Sequence, residues 1–526
     1  MISPQHNLAV RLLESAVGRG LGGKVALREG DRGWTYAQLG EQAARVSAAL
    51  RGLGVERGHR VALLMRDSLE AAAALLGVIH AGAVAVPLSE LARPGDVRTC
   101  LEHAGATVAI VDGDLEPVLD QVRTELPALR EILCMGARSA GERDFYETVR
   151  AAAPAPPVPV ESTDVCLLLY PTGAASDELR GVPHTHRTPL VAWVSFGQQL
   201  LGLGAEDRVL SVNRLTTYYG LGTALFFPLL AGAESLLVPE QPRSDVLFAA
   251  VDDFRPTVFF ATPSVFSQLC HDALADGRQT PLAGLRDAVA GGEGMPERLI
   301  PRIRQVLGTE VTIGFGLTEV FQFALAGVSG PAWDERPGTC GTPLPGVEAR
   351  VVDDSGRPVG ADEIGTLQLR GPQLFPGYWQ EPRGDEFTAD GWFLTRDRFF
   401  VDLGGTFHHC GRVDDQFKVG GKWVSPVEVE RALSAHEAVW ECAVIGVDDE
   451  DGLIKPLAFV VPNVGHEPGA ELEAELREYV KNELAPYKYP RWIEFVDQLP
   501  RGPGGKLLRY KLRPSRRRRR AETADG

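Results

Sequence analysis

Six stretches of this chain place small, hydroxyl, charged and aromatic residues where they could handle a phosphorylated, base-bearing ligand. The first, LLLYPTGAASDELRGVPHTH (167–186), runs from an apolar strand into small and hydroxyl residues around Thr172 and Gly173, and then reaches Arg180. Small residues let backbone N–H groups face an anion and Arg180 adds charge, the physical logic of a phosphate-binding loop. AGGEGMP (290–296) and IGFGLTEV (313–320) each follow an apolar strand directly. Their glycines permit close approach of a planar ligand, Phe315 can stack on a base, Thr318 can hydrogen-bond a phosphate oxygen, and Glu319 can hold magnesium through its carboxylate. GWFLTRDRFFVD (391–402) offers Asp397, an acid suited to a ribose diol, and GRVDDQFKVGGKWVSPVEVE (411–430) offers Arg412 for sugar or phosphate. In LPRGPGGKLLRYKLR (499–513), Gly504 and Gly505 form a flexible loop that presents the single ammonium group of Lys506.

Positioning these stretches requires alternating strands and helices. Thr35 and Gln38 have capping-box spacing, an Ala/Leu-rich amphipathic run continues to Leu53, and RVALLM (60–65) reads as a strand. ATVAIVD (106–112), DVCLLLY (164–170), RVLSVN (208–213), ESLLVP (234–239), TVFFAT (257–262) and EVTIGFG (310–316) repeat the theme, which predicts a layered α/β architecture. PAPPVPV (154–160) is a surface connector, and from Val347 to Asp402 short alternating strands with Gly and Pro turns predict a β-rich subdomain. After Gly411 a compact α+β unit begins, its first helix marked by Ser425 as N-cap, Pro426 at the first position and Glu428 for a capping box.

Composition narrows the function classes. The 526 residues are 44% hydrophobic and 24% charged, as in an ordinary globular protein with several domain-sized units. A net charge of −16 argues against a general nucleic-acid binder, and the basic run 516–520 reads as part of a solvated, disordered tail over 516–526. The seven cysteines lie far apart, with no CxxC pair and no metal-ligand spacing, so reduced structural thiols are expected. With no signal-like start and no stretch of about twenty apolar residues, a cytoplasmic protein with no membrane segment is expected.

The six stretches, in this order and spacing, resemble the adenylate-forming superfamily of acyl-CoA synthetases, carrier-protein loading domains and luciferases, from about residue 5 to 513. The resemblance implies a large N-terminal domain of layered α/β subdomains plus a β-rich subdomain (1–411) and a small mobile C-terminal α+β domain (412–515). It implies that Gly292 and Glu293 form the adenine-side loop, that Phe315 and Gly316 lie on adenine, and that Thr318 and Glu319 serve phosphate and Mg2+. Asp397 and Arg412 would be the ribose ligands and Lys506 the catalytic lysine, its ammonium stabilising charge as a carboxylate attacks the α-phosphate of ATP. Asp414 would be the hinge about which the small domain rotates, after which Gly420 and Gly421 replace the Lys506 loop and leave room for the pantetheine arm of coenzyme A.

The phosphate loop departs from the family pattern. Relatives end theirs in Pro-Lys-Gly, whereas here Asp177, Glu178 and Leu179 precede Arg180 in the lysine's place. Two added acids should repel phosphate unless they point outward or bind a cation. TTYYGLGTALFFPL (216–229), RPTVFFATPSVF (255–266), RPGTCGTPLPG (336–346), DGLIKPLAFVV (451–461) and LAPYKYPRWIEF (484–495) further resemble benzoate-type ligases. A compact apolar pocket of Tyr218, Tyr219, Ala261, Gly291, Phe315 and Val320 would suit an aryl carboxylic acid better than a long alkyl chain. Benzoate, hydroxybenzoate and anthranilate stay open as the acid. Coenzyme A is the expected acceptor, with Tyr487, Lys488 and Arg491 where relatives contact it, and a carrier-protein phosphopantetheine is chemically equivalent. The alternative of another class is a pseudo-ligase whose altered loop has lost ATP chemistry. A homodimer is compatible with the resemblance.

Overall fold

In the computed structural model the Thr35 hydroxyl accepts the Gln38 N–H at 3.2 Å while the Gln38 side chain accepts the Thr35 N–H at 2.9 Å. The predicted capping box therefore starts the helix Tyr36–Gly52. The structure describes residues 6–136, 138–139, 141–171, 179–275, 277, 284–296, 298–329, 338–413, 415–420, 422–449, 452–501 and 507–512. Thr172, Gly173, Asp414, Gly421 and Lys506, all expected to be functional, lie outside these residues. No described helix is long and apolar enough to cross a membrane.

Two large sheets carry the N-terminal part. One has the order Arg143–Asp144, Glu131–Met135, Val108–Asp112, Arg60–Leu64, Val84–Leu88, Val165–Leu169, Val182–Thr185, and only its last pair is antiparallel. The other runs Thr342–Pro343, Gln322–Val328, Val311–Leu317, Asp287–Gly291, Val258–Ala261, Arg208–Ser211, Glu234–Leu237, Val25–Glu29, Arg32–Thr35. Its central strands are parallel, so the loops leaving them open at one edge. Helices fill the space between the sheets, and Leu69–His80 is buried along its whole length. At Gly77 a Cβ would come within 2.5 Å of Val46, so glycine there lets this helix lie directly on Tyr36–Gly52.

The β-rich unit is a four-stranded antiparallel sheet, Glu348–Val352, Gly365–Arg370, Phe393–Val401, Phe407–Arg412. It runs one strand beyond the predicted limit at Asp402, because the DLGG turn (402–405) folds Phe407–Arg412 back as a hairpin. Beyond it, Val439–Asp448, Ile454–Pro462 and Trp492–Phe495 form a three-stranded sheet covered by helices Pro426–Ser434 and Ala470–Glu483. Ser425 does precede the first of these helices and Pro426 does open it, but the expected capping box is absent. The Ser425 hydroxyl instead donates to the Cys410 carbonyl at 2.8 Å, and Glu428 accepts from Lys488 Nζ at 2.5 and 2.7 Å. Tertiary partners have outcompeted the local cap.

Candidate functional site

Three adjacent parallel strands deliver most of the sequence-selected residues to one edge. Ala261 ends Val258–Ala261 and lies in register with Ala290, while Gly291, ending Asp287–Gly291, lies in register with Gly314 of Val311–Leu317. A Cβ at Gly291 or Gly314 would strike the Phe323 ring at 2.3 or 2.1 Å, so glycine lets strand and ring pack at this edge. Gly292 has φ +85°, and Glu293 follows it. Ala261 and Val320 are fully buried, the latter packed with Phe399 and against Phe315.

Past Leu317 the chain makes a tight turn over Thr318–Val320 and re-enters the sheet through two left-handed residues, Phe321 (φ 43°) and Gln322 (φ 98°). Such a conformation costs about 1–3 kcal/mol for residues with a side chain and persists where surroundings over-determine it. Gln322 is held by donating its Nε2 to the Tyr218 and Tyr219 carbonyls at 2.7 and 3.1 Å. A Cβ at Gly316 would meet the Gln322 carbonyl at 2.1 Å, and one at Gly222 its Nε2 at 1.8 Å. The two tyrosines open a helix that widens to π winding over Leu221–Phe226, a feature the sequence does not signal. Tyr218 Oη donates to Gly316 C=O at 3.0 Å and Tyr219 Oη to Val289 C=O at 3.2 Å. Burial pushes both phenols up, so both hydroxyls stay protonated and tie the helix to the strand ends.

The turn presents Glu319, whose carboxyl is pushed up chiefly by burial. Its Oε1 accepts the Tyr378 hydroxyl at 2.9 Å. Arg180 stacks over the Tyr378 ring, 3.9 Å from its centroid, and its guanidinium is bound by Glu381, with Nε 3.1 and 3.2 Å from the two carboxylate oxygens. The predicted phosphate-loop cation is therefore already paired, and a ring links it to the predicted magnesium carboxylate. His184, fully buried and held neutral with its imidazole lowered to about 3 by burial, donates Nε2–H to the Thr318 carbonyl at 2.7 Å.

Asp397 and Arg412 stand opposite each other in register, and Arg412 Nη1 is 3.6 Å from Asp397 Oδ2. Asp397 is 3% exposed; His409 Nε2 lies 3.1 Å from its Oδ1, while Oδ2 has no hydrogen-bond partner. The Phe315 ring packs 5.6 Å from that of His409 and 4.9 Å from that of Phe399. An acceptor at the foot of an aromatic wall is thus in place. Glu293 is used differently: its oxygens accept from Ser264 N at 3.1 Å and from Leu507 N at 2.9 Å. Gly420, φ +55°, is exposed in the turn between Phe417–Val419 and Lys422–Val424.

Tyr378, His409, His184 and Glu381 were not selected from the sequence. Only His409 had a usable signal, since the DLGG hairpin carries it back alongside Asp397. The others reach the site through contacts distant along the chain, such as the 201 residues between Arg180 and Glu381.

Residues 13–379 match the model of the AMP-binding enzyme family, and residues 428–506 that of the AMP-binding enzyme C-terminal domain. The chain belongs to the AMP-binding enzyme family. It is 35% identical to the 4-hydroxybenzoate–CoA/benzoate–CoA ligase of Rhodopseudomonas palustris, over 97% of this chain and 94% of that one. Among solved structures it resembles the anthranilate CoA ligase AuaEII in complex with anthranoyl-AMP, with TM-score 0.88 and 35% identity over 98% of both chains. It also resembles a benzoate CoA ligase from Burkholderia xenovorans LB400, with TM-score 0.87 and 33% identity over 97% of this chain and all of that one.

Proposed function

We propose that the protein activates an aryl carboxylic acid with ATP and passes the aroyl group to coenzyme A. In the first step a carboxylate oxygen attacks the α-phosphorus, the bond to pyrophosphate breaks, and an aroyl-AMP forms. In the second the coenzyme A thiolate attacks the carbonyl carbon, a thioester forms and AMP leaves. The observation that carries this reading is the match, along nearly the whole chain, to a ligase structure holding anthranoyl-AMP.

Within it, Asp397 and Arg412 hold the ribose, Phe315, Gly316 and Gly292 face adenine, and Thr318 hydrogen-bonds phosphate. Asp397 Oδ2, buried without a hydrogen-bond donor, fits an incoming sugar hydroxyl. Mg2+ fits Glu319, a carboxylate whose charge burial disfavours and a cation would offset, and the described residues hold no group of three or more His, Cys, Asp or Glu that could bind a metal ion. A hard ion held by one carboxylate and substrate phosphates needs no more, and it would neutralise phosphate charge. Tyr218 and Val320, with Ala261 and Gly291 at the strand ends, shape an apolar space for the ring. Lys506 orients the reactants in the first step, and the part from 412 onward pivots near Asp414 so that Gly420 and Gly421 border the thiol channel in the second. The reaction would take place in the cytoplasm.

The test is ATP-, Mg2+- and coenzyme A-dependent thioester formation, followed by mass spectrometry with benzoate, anthranilate, hydroxybenzoates and short fatty acids, beside a Lys506→Ala control. Aryl-CoA that falls about 100- to 1000-fold in the control is expected. Absence of both aroyl-AMP and thioester with every acid, with coenzyme A or a carrier protein as acceptor, would overturn the assignment.

A further inference from the structure

The residues on either side of 502–506 are tied to each other as a neck. Arg501 and Leu507 pair as an isolated antiparallel bridge, and Leu508 N donates to Pro500 C=O at 2.8 Å. This neck sits on one side chain of the N-terminal part. Glu293 Oε1 accepts the Leu507 N–H at 2.9 Å and lies 3.9 Å from Arg501 Nη1. Its Oε2 accepts from Ser264 N at 3.1 Å and from the Ser264 hydroxyl, to which Arg501 also donates. Arg501 reaches Glu441 as well, so one guanidinium bridges the two parts of the molecule. A second contact lies nearby: the Trp440 ring packs 4.3 Å from the His271 ring and under the Arg302 guanidinium at 4.5 Å.

Glu293 and Ser264 stand just beyond two adjacent parallel strands, at the edge where the expected nucleotide residues gather. Both carboxylate oxygens of Glu293 are engaged by protein donors, which leaves little for the adenine contact its sequence position suggested. Resting on the ligase assignment of Lys506, we propose that Glu293 is a positioning residue: it docks the neck 501/507 and thereby sets the Lys506 loop for adenylation, and the docking is not used in thioester formation. The physical basis is that a loop tied at both ends and seated on a buried-edge carboxylate holds its reactive group in place, and misplacement by about 1 Å can cost on the order of 100-fold in rate. Arg501 acts with it as the charged half of the dock.

The test separates the half-reactions in the full-length protein. Glu293→Ala and Arg501→Ala are compared with wild type for aryl-acid-dependent ATP–pyrophosphate exchange, for thioester formation from synthetic aroyl-AMP and coenzyme A, and for ATP affinity by calorimetry. Exchange kcat is expected to fall about 10- to 100-fold in each variant, with ATP affinity and the thioester step unchanged. The double variant should be no worse than the poorer single one. A loss of ATP affinity together with both half-reactions would place Glu293 on adenine and overturn the proposal. So would equal loss in both half-reactions with a lowered melting temperature, or undiminished exchange. Tryptic cleavage within 501–512, expected to be faster in Glu293→Ala, reads docking without catalysis. Unchanged cleavage overturns the dock, whereas faster cleavage in a chain whose wild type catalyses no exchange retains the dock and sinks the ligase assignment.

Discussion

Asp397 and Arg180 come from the two sides of the candidate site and are prepared in opposite ways. Asp397 is buried in a hydrogen-bonded β-hairpin, one oxygen near His409 and the other without a hydrogen-bond partner. Arg180 lies on the rim, a third exposed, bound by Glu381 and stacked on Tyr378. The first is an acceptor set in position before any ligand arrives. The second is a cation whose charge is spent until something displaces its partner. A ligand would gain binding energy at once on Asp397, whereas on Arg180 it would first have to break a contact.

Of these two residues, the prepared one should cost more to change. Asp397→Asn keeps the shape but puts an amide where an acceptor faced Arg412. Hydrogen bonds to charged groups contribute about 1.5–3 kcal/mol, so kcat/KM for ATP in pyrophosphate exchange should fall by about 10- to 150-fold. A loss below about threefold, under 1 kcal/mol, would show that the buried oxygen is not where the ligand is held. Tyr378→Phe should cost less. It keeps the ring under Arg180 but removes the hydroxyl from Glu319, a bond of about 1 kcal/mol, so a roughly fivefold drop with a raised Mg2+ requirement is expected. A drop with no change in Mg2+ dependence would uncouple Tyr378 from the metal role proposed for Glu319.

The same contrast governs what was legible in the sequence. The placement of Gly291, Phe315, Thr318 and Glu319 at strand ends is legible because an apolar run followed by glycine fixes both the strand and the place where it opens. Thr35 with Gln38 was visible because a cap is local. What escaped depends on partners far along the chain: the left-handed Phe321 and Gln322, the π winding of Leu221–Phe226 around the Gln322 amide, and Glu293, whose Leu507 contact spans 214 residues. Ser425 is governed by the same kind of distant partner. Its hydroxyl had a local partner in the helix and a better one in the Cys410 carbonyl, and spacing alone does not rank the two.

The Arg180 pair should respond least of all to substitution. Lys488, at a position where relatives contact coenzyme A, and Arg180, in the phosphate loop, are both paired with a glutamate, Glu428 and Glu381 respectively. The Arg180–Glu381 pair is 32% exposed on each side, and exposed pairs contribute about 1 kcal/mol or less. Glu381→Gln should therefore release the guanidinium at little cost to folding and lower KM for ATP by at most about fivefold. The direction is what matters. If Arg180 serves phosphate, removing its competitor strengthens ATP binding, and the acids Asp177 and Glu178 of the altered loop are tolerated because the arginine can turn to the ligand. If KM rises instead, Glu381 holds Arg180 in its working position on Tyr378, and the cation acts by steadying the Glu319 contact rather than by touching phosphate.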